Sequence, residues 1–283
     1  MPMMQLSAKK LAWVWGASGV LWLFASPAAA FNAKAHRVVG HVAAAHSCAE
    51  TLIAIGELDG ERDLAAAGVW ADEVRAYKHM DFAKPWHYIN VPDAISVRQF
   101  LADGRRYRRG DVLFAIDHYA QLLGDTSADR LDRAQAYRFL VHFVADVHQP
   151  LHVGRSGDQG GNRVKVRVGD RRTNLHSFWD GFDLNQVIEE PRDYAAYLGG
   201  LYQDRSADVA VEVGGNPVVW AQESKNFRAQ VYGFGPVRAQ AAPVLGPEYR
   251  DKAINIINLR MYQAGRRLAS MLDGIFCEGA VSR

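Results

Sequence analysis

The segment HFVADVHQPLH at 142–152 combines a helical pattern with residue types that bind metals. The order of polar and apolar residues predicts a helix over 131–147, and Pro150 marks its end because proline cannot continue a helix. On a helix, His142 and Asp146 are four residues apart and share a face. Beyond Pro150 the chain can turn back and bring His152 to the same pocket. We therefore expect a helix that presents an imidazole and a carboxylate to one polar site.

Most of the remaining chain shows the same helical pattern. Further helices are predicted over 33–55, 64–77, 96–123, 194–202, 216–232 and 247–272. Residues 164–168 instead alternate strictly between valine and a basic residue, and Gly169 and Asp170 signal a turn. This pattern predicts a short β-hairpin that returns toward Leu175. The expected fold class is mainly α, with a single α-helical domain over 31–283 that carries a small β-hairpin.

The first thirty residues have the layout of a secretory signal peptide. Lys9 and Lys10 precede an apolar run at 11–24, and small residues at Ala28 and Ala30 precede the expected cleavage site. A transmembrane anchor is the alternative, but the run is shorter than the roughly 20 residues that a span requires. We therefore expect 1–30 to be removed, Phe31 to become the first residue, and the protein to be periplasmic or secreted, without a membrane span.

Composition narrows the function classes. The chain has 283 residues, of which 49% are hydrophobic and 23% charged, and this excludes a disordered or fibrous protein. Lys9 and Lys10 account for the formal net charge of +2, so the mature chain is neutral and no broad basic face for nucleic acid is implied. Cys48 and Cys277 are the only cysteines. They could form one disulfide or remain two separate thiols, and the sequence leaves both open.

Several further residues have metal-ligand character. His176 and Asp180 form a second pair four residues apart, and Asp72 and His87 each lie near a tryptophan in segments that could be buried. A single pair of this kind is more often a surface contact. Buried Asp and His must nevertheless find partners, and imidazole with carboxylate suits zinc when paired cysteines are lacking. Two pairs with an extra histidine between them predict more than one divalent ion.

These elements together resemble the zinc-dependent single-strand nucleases of fungi and the plant bifunctional nucleases, which also act as 3′-nucleotidases. The zinc phospholipases C are more distant relatives. The resemblance follows the same order along the chain through seven elements: Phe31 with His36, Trp70-Ala71-Asp72, His87, His142 with Asp146, Gln149-Pro150-Leu151-His152, Gly160-Gly161-Asn162, and Asn174-Leu175-His176 with Trp179-Asp180. It implies an α-helical fold of the phospholipase C and zinc nuclease type.

The resemblance also implies three Zn²⁺ ions and a role for each matching residue. One ion is expected on Asp72, His87, His142 and Asp146, a second on His152, His176 and Asp180, and a third on His36, Asp146 and the α-amine and carbonyl of Phe31. Asp72 is also expected to orient the attacking water, and Arg75 to contact the phosphate. The expected substrate contacts are Tyr88, Asn90 and Asn162. Relatives commonly begin with Trp where this chain has Phe31.

The resulting prediction is an exported nuclease that hydrolyses RNA and single-stranded DNA to 5′-phosphate products and has 3′-nucleotidase activity. Its partners are then single-stranded nucleic acid and nucleotides, no stable protein partner is implied, and a monomer is expected. A zinc phospholipase C that acts on phospholipid head groups is the alternative within enzymes. A non-catalytic zinc-binding protein is a third possibility, which needs the ligands but not Arg75.

Overall fold

The structure, a computed structural model, describes residues 31–60, 63–104, 109–203, 216–235 and 242–277. The expected signal peptide at 1–30 lies outside the described residues. Helices dominate the described part, as the sequence predicts. They are α1 Ala33–His46, α2 Ala49–Asp59, α3 Leu64–Val74, α4 Val97–Ala102, α5 Val112–Gly124, α6 Arg130–His148, α7 Leu175–Ser177, α8 Leu184–Val187, α9 Pro191–Gln203, α10 Pro217–Asn226, α11 Arg228–Val231 and α12 Pro247–Phe276. A 3₁₀ helix spans Lys78–His87, and a π-helical turn spans Phe178–Phe182.

Helix α6 is the central element, and every residue from Phe139 to His148 is buried. It packs against α3, α5, α10 and α12. Its two sides belong to different parts of the core. Val144 lies in a hydrophobic cluster shared with α5, whereas Ala145 lies in a second cluster built around α1, α9 and α12. A helix that is buried all round places its polar residues inside the protein, where they need partners.

Three predicted helices are each divided in two. The segment 33–55 breaks at Ser47 and Cys48, because the Cys48 sulfur accepts a hydrogen bond from the Thr51 N–H and caps a new helix. The segment 96–123 breaks before Asp111, which caps α5 through two backbone N–H groups, and Gly110 adopts a left-handed φ of 87° there. The segment 216–232 is divided at Phe227. The first two breaks depend on local hydrogen bonds that an apolar periodicity does not reveal.

The predicted hairpin is confirmed. Strand β3, Lys165–Val168, pairs antiparallel with β4, Arg171–Asn174. A second strand pair was not predicted: Ile89–Asn90, β1, pairs in parallel with Val153–Gly154, β2. Each of these strands has two residues, too few to show an alternating pattern. Their pairing nevertheless brings the segment after His87 beside the segment after His152.

The two cysteines lie close together at the C-terminal end of α12. Cys48 and Cys277 are both free thiols, and their sulfurs and a Glu50 carboxylate oxygen lie within 4.8 Å of one another. None of the described helices has the length and apolarity to cross a bilayer.

Candidate metal centre

The Asp146 carboxylate lies at the centre of a buried cluster of histidines. It is itself fully buried on α6. Its Oδ2 atom is 3.0 Å from Nδ1 of His87 and 3.1 Å from Nε2 of His142. Its Oδ1 atom is 3.4 Å from Nδ1 of His152 and 3.6 Å from Nε2 of His36. Four imidazoles from four parts of the chain thus converge on one carboxylate.

The His and Asp side chains form three groups whose ligand atoms lie within 4.8 Å of one another in each group. The groups are His36–His142–Asp146, Asp72–His87–His142 and His152–His176–Asp180. The last group has the same members as the ligand set expected for one ion. The other two divide the remaining predicted side chains, and they share His142. The structure therefore brings together all eight side chains that the resemblance names as zinc ligands.

Phe31 lies beside this cluster of histidines. Its ring is fully buried and lies edge-on to His36, with ring centroids 6.3 Å apart. The next residue, Asn32, donates its backbone N–H to the Asp180 carbonyl and caps α1 through its side chain. Gly181 has a φ of 110°, and a Cβ there would come within 2.2 Å of the Asn32 amide. The segment at Phe31 and Asn32 is thus held between α1 and the π-helical turn.

Backbone carbonyls orient three of the histidines. Nδ1 of His142 lies 2.7 Å from the Gly68 carbonyl, and Nδ1 of His176 lies 2.7 Å from the Gly160 carbonyl. Nδ1 of His152 lies 2.6 Å from the carbonyl of His87. A ring that donates from Nδ1 to a carbonyl presents Nε2 as a lone-pair donor, which is the usual arrangement of metal-binding histidines.

Gln149 orients an acid in the same way. Its Nε2 donates to Oδ1 of Asp180 over 2.6 Å, and its Oε1 accepts from the Leu151 N–H. Gln149 is fully buried. The sequence motif includes this residue but gives it no role, because its partner is distant in the chain. Oδ2 of Asp180 lies 3.5 Å from Nε2 of His176, and Asp180 belongs to the π-helical turn and not to a regular α-helix.

Several buried polar atoms of the cluster have no hydrogen-bond partner among the described residues. They are Nδ1 and Nε2 of His36, Oδ1 of Asp72, Oδ1 of Asp146, Nε2 of His152 and Oδ2 of Asp180. An unpaired buried polar atom costs free energy, and a buried carboxylate costs more than a neutral group. Unpaired imidazole nitrogens and carboxylate oxygens are the donor types that divalent cations use, and imidazole with carboxylate fits zinc.

The electrostatics of the cluster support this interpretation. Burial and the neighbouring His142 hold the pKa of His36 well below its usual range, and the two rings are stacked with centroids 4.1 Å apart. Burial alone would lower the pKa of His142, but the facing carboxylates of Asp146 and Asp72 raise it to about 9. Burial would raise the pKa of Asp146, yet the facing histidines hold it well below its usual range. The protein thus keeps its central carboxylate charged, and without a cation a proton on His142 balances it.

A cleft of about 500 Å³ opens over the cluster. A cavity of this size suits a small ligand or one unit of a polymer. Its wall contains all four residues that were predicted to contact substrate or phosphate, together with four that were not predicted. The lining residues outside the ligand set are Arg75, Tyr88, Asn90 and Asn162, with Leu151, Ser156, Gln159 and Gly160. Ser156 and Gln159 carried no sequence signal, because they follow the β2 strand in a turn without a recognisable motif.

Two of the predicted cleft residues are further defined by their contacts. Nη1 of Arg75 lies 3.7 Å from Oδ1 of Asp72, at the C-terminal end of α3. The guanidinium is thus held beside an acid of the cluster and at the cleft wall. Asn162 donates its side-chain amide to the Gln159 carbonyl over 2.9 Å. Asn162 therefore stabilises the turn beside the cleft.

Comparison with known proteins identifies similar sequences. The sequence model of a protein family described as S1/P1 Nuclease matches residues 31–277. The chain is 29% identical to Endonuclease 4 of Arabidopsis thaliana, over 91% of this chain and 93% of that protein. It is 28% identical to Nuclease P1 of Penicillium citrinum, over 75% of this chain and 84% of that protein. It is 26% identical to Nuclease S1 of Aspergillus oryzae, over 76% of this chain and 80% of that protein. These matches confirm the resemblance inferred from the motifs.

Proposed function

This chain belongs to the S1/P1 nuclease family and is a nuclease, and from that premise we propose that it is an exported enzyme with three zinc ions. Its substrates are RNA and single-stranded DNA, its products carry 5′-phosphates, and it also hydrolyses 3′-nucleotides. The proposal places cleavage of the signal peptide after Ala30 and assigns 31–283 to one catalytic domain that acts as a monomer.

The observation that carries the proposal is the set of three adjoining ligand groups beneath one cleft. His142 belongs to two groups, and Asp146 contacts histidines of all three. A storage site for one ion needs only three or four ligands. A cluster of shared ligands under an open cleft instead suits hydrolysis of a phosphate ester, in which several charges change together.

Zinc bound here would supply Lewis-acid chemistry and would activate water near neutral pH. The protein's own groups place the reactants. The Arg75 guanidinium holds non-bridging oxygens of the phosphate, because its planar fork matches their geometry. Asp72 accepts a hydrogen bond from the attacking water and aims it at phosphorus. The water oxygen bonds to phosphorus while the bond to the 3′ oxygen breaks, so the phosphate stays on the 5′ side.

Tyr88 and Asn90 provide the contacts to the base. Both line the cleft, directly after the ligand His87. A tyrosine ring stacks on a base only where the base is not held in a duplex, and this favours single strands. The Asn90 side chain has both a donor and an acceptor for a base edge. The two residues thus give the proposed preference for unpaired nucleic acid.

Processing of the N-terminus completes the centre. The family match begins at Phe31, and Phe31 is buried against His36. A free α-amine exists at this position only after the residues before it have been removed. We assign that amine and the Phe31 carbonyl to the third ion, which makes export a condition for full metal loading.

The proposal is tested with purified protein that begins at Phe31. Zinc is counted by elemental analysis, and hydrolysis of single-stranded DNA, RNA and phosphatidylcholine is measured separately. We expect three zinc ions per chain and turnover of both nucleic acids. EDTA abolishes turnover and added zinc restores it. The variant His142→Ala loses zinc and activity, whereas His118→Ala, which removes an exposed imidazole on α5, keeps both.

The outcomes separate the alternatives. Turnover of phosphatidylcholine without turnover of nucleic acid would identify a phospholipase C and contradict the proposal. Three bound zinc ions with no turnover of any substrate would identify a non-catalytic zinc-binding protein. Full activity in EDTA would exclude the metal-dependent mechanism.

A further inference from the structure

The β-hairpin carries an unusual concentration of positive charge for a chain whose formal net charge is only +2. Between positions 163 and 172 the only acidic residue is Asp170. The basic residues in this range are Arg163, Lys165, Arg167, Arg171 and Arg172. The average composition of the chain therefore hides a local basic surface.

The strand register places three of these charges on one face. Val166 and Val168 are buried in the core, so Lys165 and Arg167 lie on the opposite face of β3. Arg172 is paired with Arg167 in the ladder and therefore lies on that same face. We call Lys165, Arg167 and Arg172 the cationic face of the hairpin. Lys165 and Arg172 are exposed, and Arg167 is half-buried.

The cationic face does not serve the stability of the hairpin. Like charges directly opposite each other in a ladder are destabilising, and Arg167 faces Arg172 in this way. Arg167 also contacts Asp170 at 3.3 Å, but the Asp170 side chain is fully exposed, and exposed ion pairs contribute little. The arrangement is favourable when an anion lies between the two guanidinium groups, since each can then bind it.

The hairpin is fixed rigidly to the wall of the cleft. Its first strand begins three residues after Asn162, which lines the cleft, and its second strand ends two residues before His176. The Leu175 N–H donates to the Val164 carbonyl at its base. The outer edge of β3 is held by residues 243–245, through the Pro243 carbonyl and the Leu245 N–H. Strands of four residues extend about 13 Å from this base.

We propose that the cationic face binds backbone phosphates of a single strand whose scissile phosphate lies in the cleft. This inference rests on the proposed function, since it concerns the same substrate outside the catalytic centre. Contacts to phosphates by Lys and Arg are independent of base sequence and gain free energy by releasing counterions. The face therefore acts on long strands and not on a dinucleotide, which is too short to reach it. It makes the enzyme prefer polymers although its total charge is close to zero.

The test compares a hairpin variant with a variant of equal charge. The hairpin variant is Lys165→Gln, Arg167→Gln, Arg172→Gln. The control is Arg98→Gln, Arg192→Gln, Lys252→Gln, which removes three exposed cations from α4, α9 and α12. Zinc-loaded protein is titrated with a fluorescent, phosphorothioate-linked strand of 20 nucleotides, and affinity is measured by anisotropy at several salt concentrations. Hydrolysis of an ordinary strand of that length and of a dinucleotide is measured in parallel.

The hairpin variant is expected to bind the strand at least tenfold more weakly near 0.1 M salt. The slope of log affinity against log salt should fall by about 1.4, since Arg167 and Arg172 share one phosphate, Lys165 binds another, and each phosphate contact to a single strand contributes about 0.7. The value of kcat/KM should fall for the long strand and stay unchanged for the dinucleotide. The control should match the wild type. Equal losses in both variants, or unchanged binding in the hairpin variant, would overturn the proposal.

Two further results distinguish phosphate binding by the hairpin from a folding defect and from failure of the proposed function. The single variant Arg172→Gln relieves the like-charge pair, so it should melt at the same temperature as the wild type or higher while binding the strand more weakly. A lower melting temperature together with loss of dinucleotide hydrolysis would show that the face supports the cleft instead, and would refute the proposal. If the wild type hydrolyses neither substrate, the proposed function fails, and the anisotropy titration still decides whether the hairpin binds the strand.

Discussion

The Gln149→Leu variant tests whether the metal centre depends on a residue that touches no ion itself. Gln149 is fully buried and donates to Oδ1 of Asp180 over 2.6 Å. Leucine keeps a similar volume but removes the donor. Hydrogen bonds to charged groups contribute about 1.5–3 kcal/mol, and a tenfold change in affinity corresponds to about 1.4 kcal/mol. We therefore expect zinc affinity at the His152–His176–Asp180 group to fall roughly tenfold to hundredfold, the range known for outer-shell partners of metal ligands.

The assay is a titration of metal-free protein with zinc against a competing chelator, followed by elemental analysis at each free zinc concentration. One of the three binding steps should move to higher zinc, and the other two should not. Gln222→Leu is the matched control, because its Oε1 also accepts a backbone N–H, that of Val97, at a distance from the cluster. Three unchanged binding steps in Gln149→Leu would refute the reasoning. A shift of all three steps would show that the substitution disturbs the fold and not one group.

Three further predictions concern the chain terminus, the pH and the cysteines. Protein that carries extra residues before Phe31 should bind fewer zinc ions and be much less active, which metal counting and a hydrolysis assay measure. Three bound ions and equal activity would exclude Phe31 as a ligand. Without metal, the raised pKa of His142, about 9, keeps that ring protonated at pH 7, so zinc must displace the proton and the affinity for zinc should rise as pH increases toward 9. Calorimetry in two buffers measures the released proton. A zinc affinity that is constant between pH 7 and 9 would contradict the role of His142 as a ligand. In an oxidising compartment, Cys48 and Cys277, whose sulfurs lie within 4.8 Å of each other, should form a disulfide and raise the free energy of unfolding by about 2–4 kcal/mol. Thiol counting and thermal melting with and without reductant measure both effects, and two reactive thiols in exported protein would contradict the pairing.

The sequence predicts the central part of the site well because the relevant information is local. His142 and Asp146 share a helical face by their spacing alone, and Pro150 explains why His152 can return to them. The hairpin is equally local, since strict alternation and a glycine turn define it. The resemblance supplies the remaining ligands, and all of their side chains lie in the three groups.

The rest depends on contacts that no local pattern contains. The bond between Gln149 and Asp180 joins residues that are distant in sequence, and the parallel pair β1–β2 has only two residues in each strand. The break at Cys48 depends on a sulfur that caps a helix. The hairpin shows the limit in another way: its basic residues are visible in the sequence, but only the register shows that Arg167 and Arg172 lie opposite each other. A count of charges over the whole chain gave no sign of that surface.

Two of the buried polar groups on helix α6, His148 and Asp146, have contrasting surroundings. His148 donates to the Val144 carbonyl and accepts from Arg267, whose guanidinium is in turn paired with Glu223. Burial and the nearby Arg260 hold the pKa of His148 well below its usual range, so this ring is neutral and fully bonded. Two residues earlier, Asp146 is surrounded by imidazoles and keeps an oxygen without a hydrogen-bond partner among the described residues.

This contrast explains why the centre lies where it does. The protein supplies its own cation, Arg267, where α6 needs only stability, and it places imidazoles around Asp146 where a cation must bind and meet substrate. Without the ion, only a proton on His142 balances this buried carboxylate, and a divalent ion that displaces the proton also binds the unpaired atoms of the cluster. Folding of α6 into the core and binding of metal are therefore coupled, because the bound ion stabilises the buried Asp146 carboxylate.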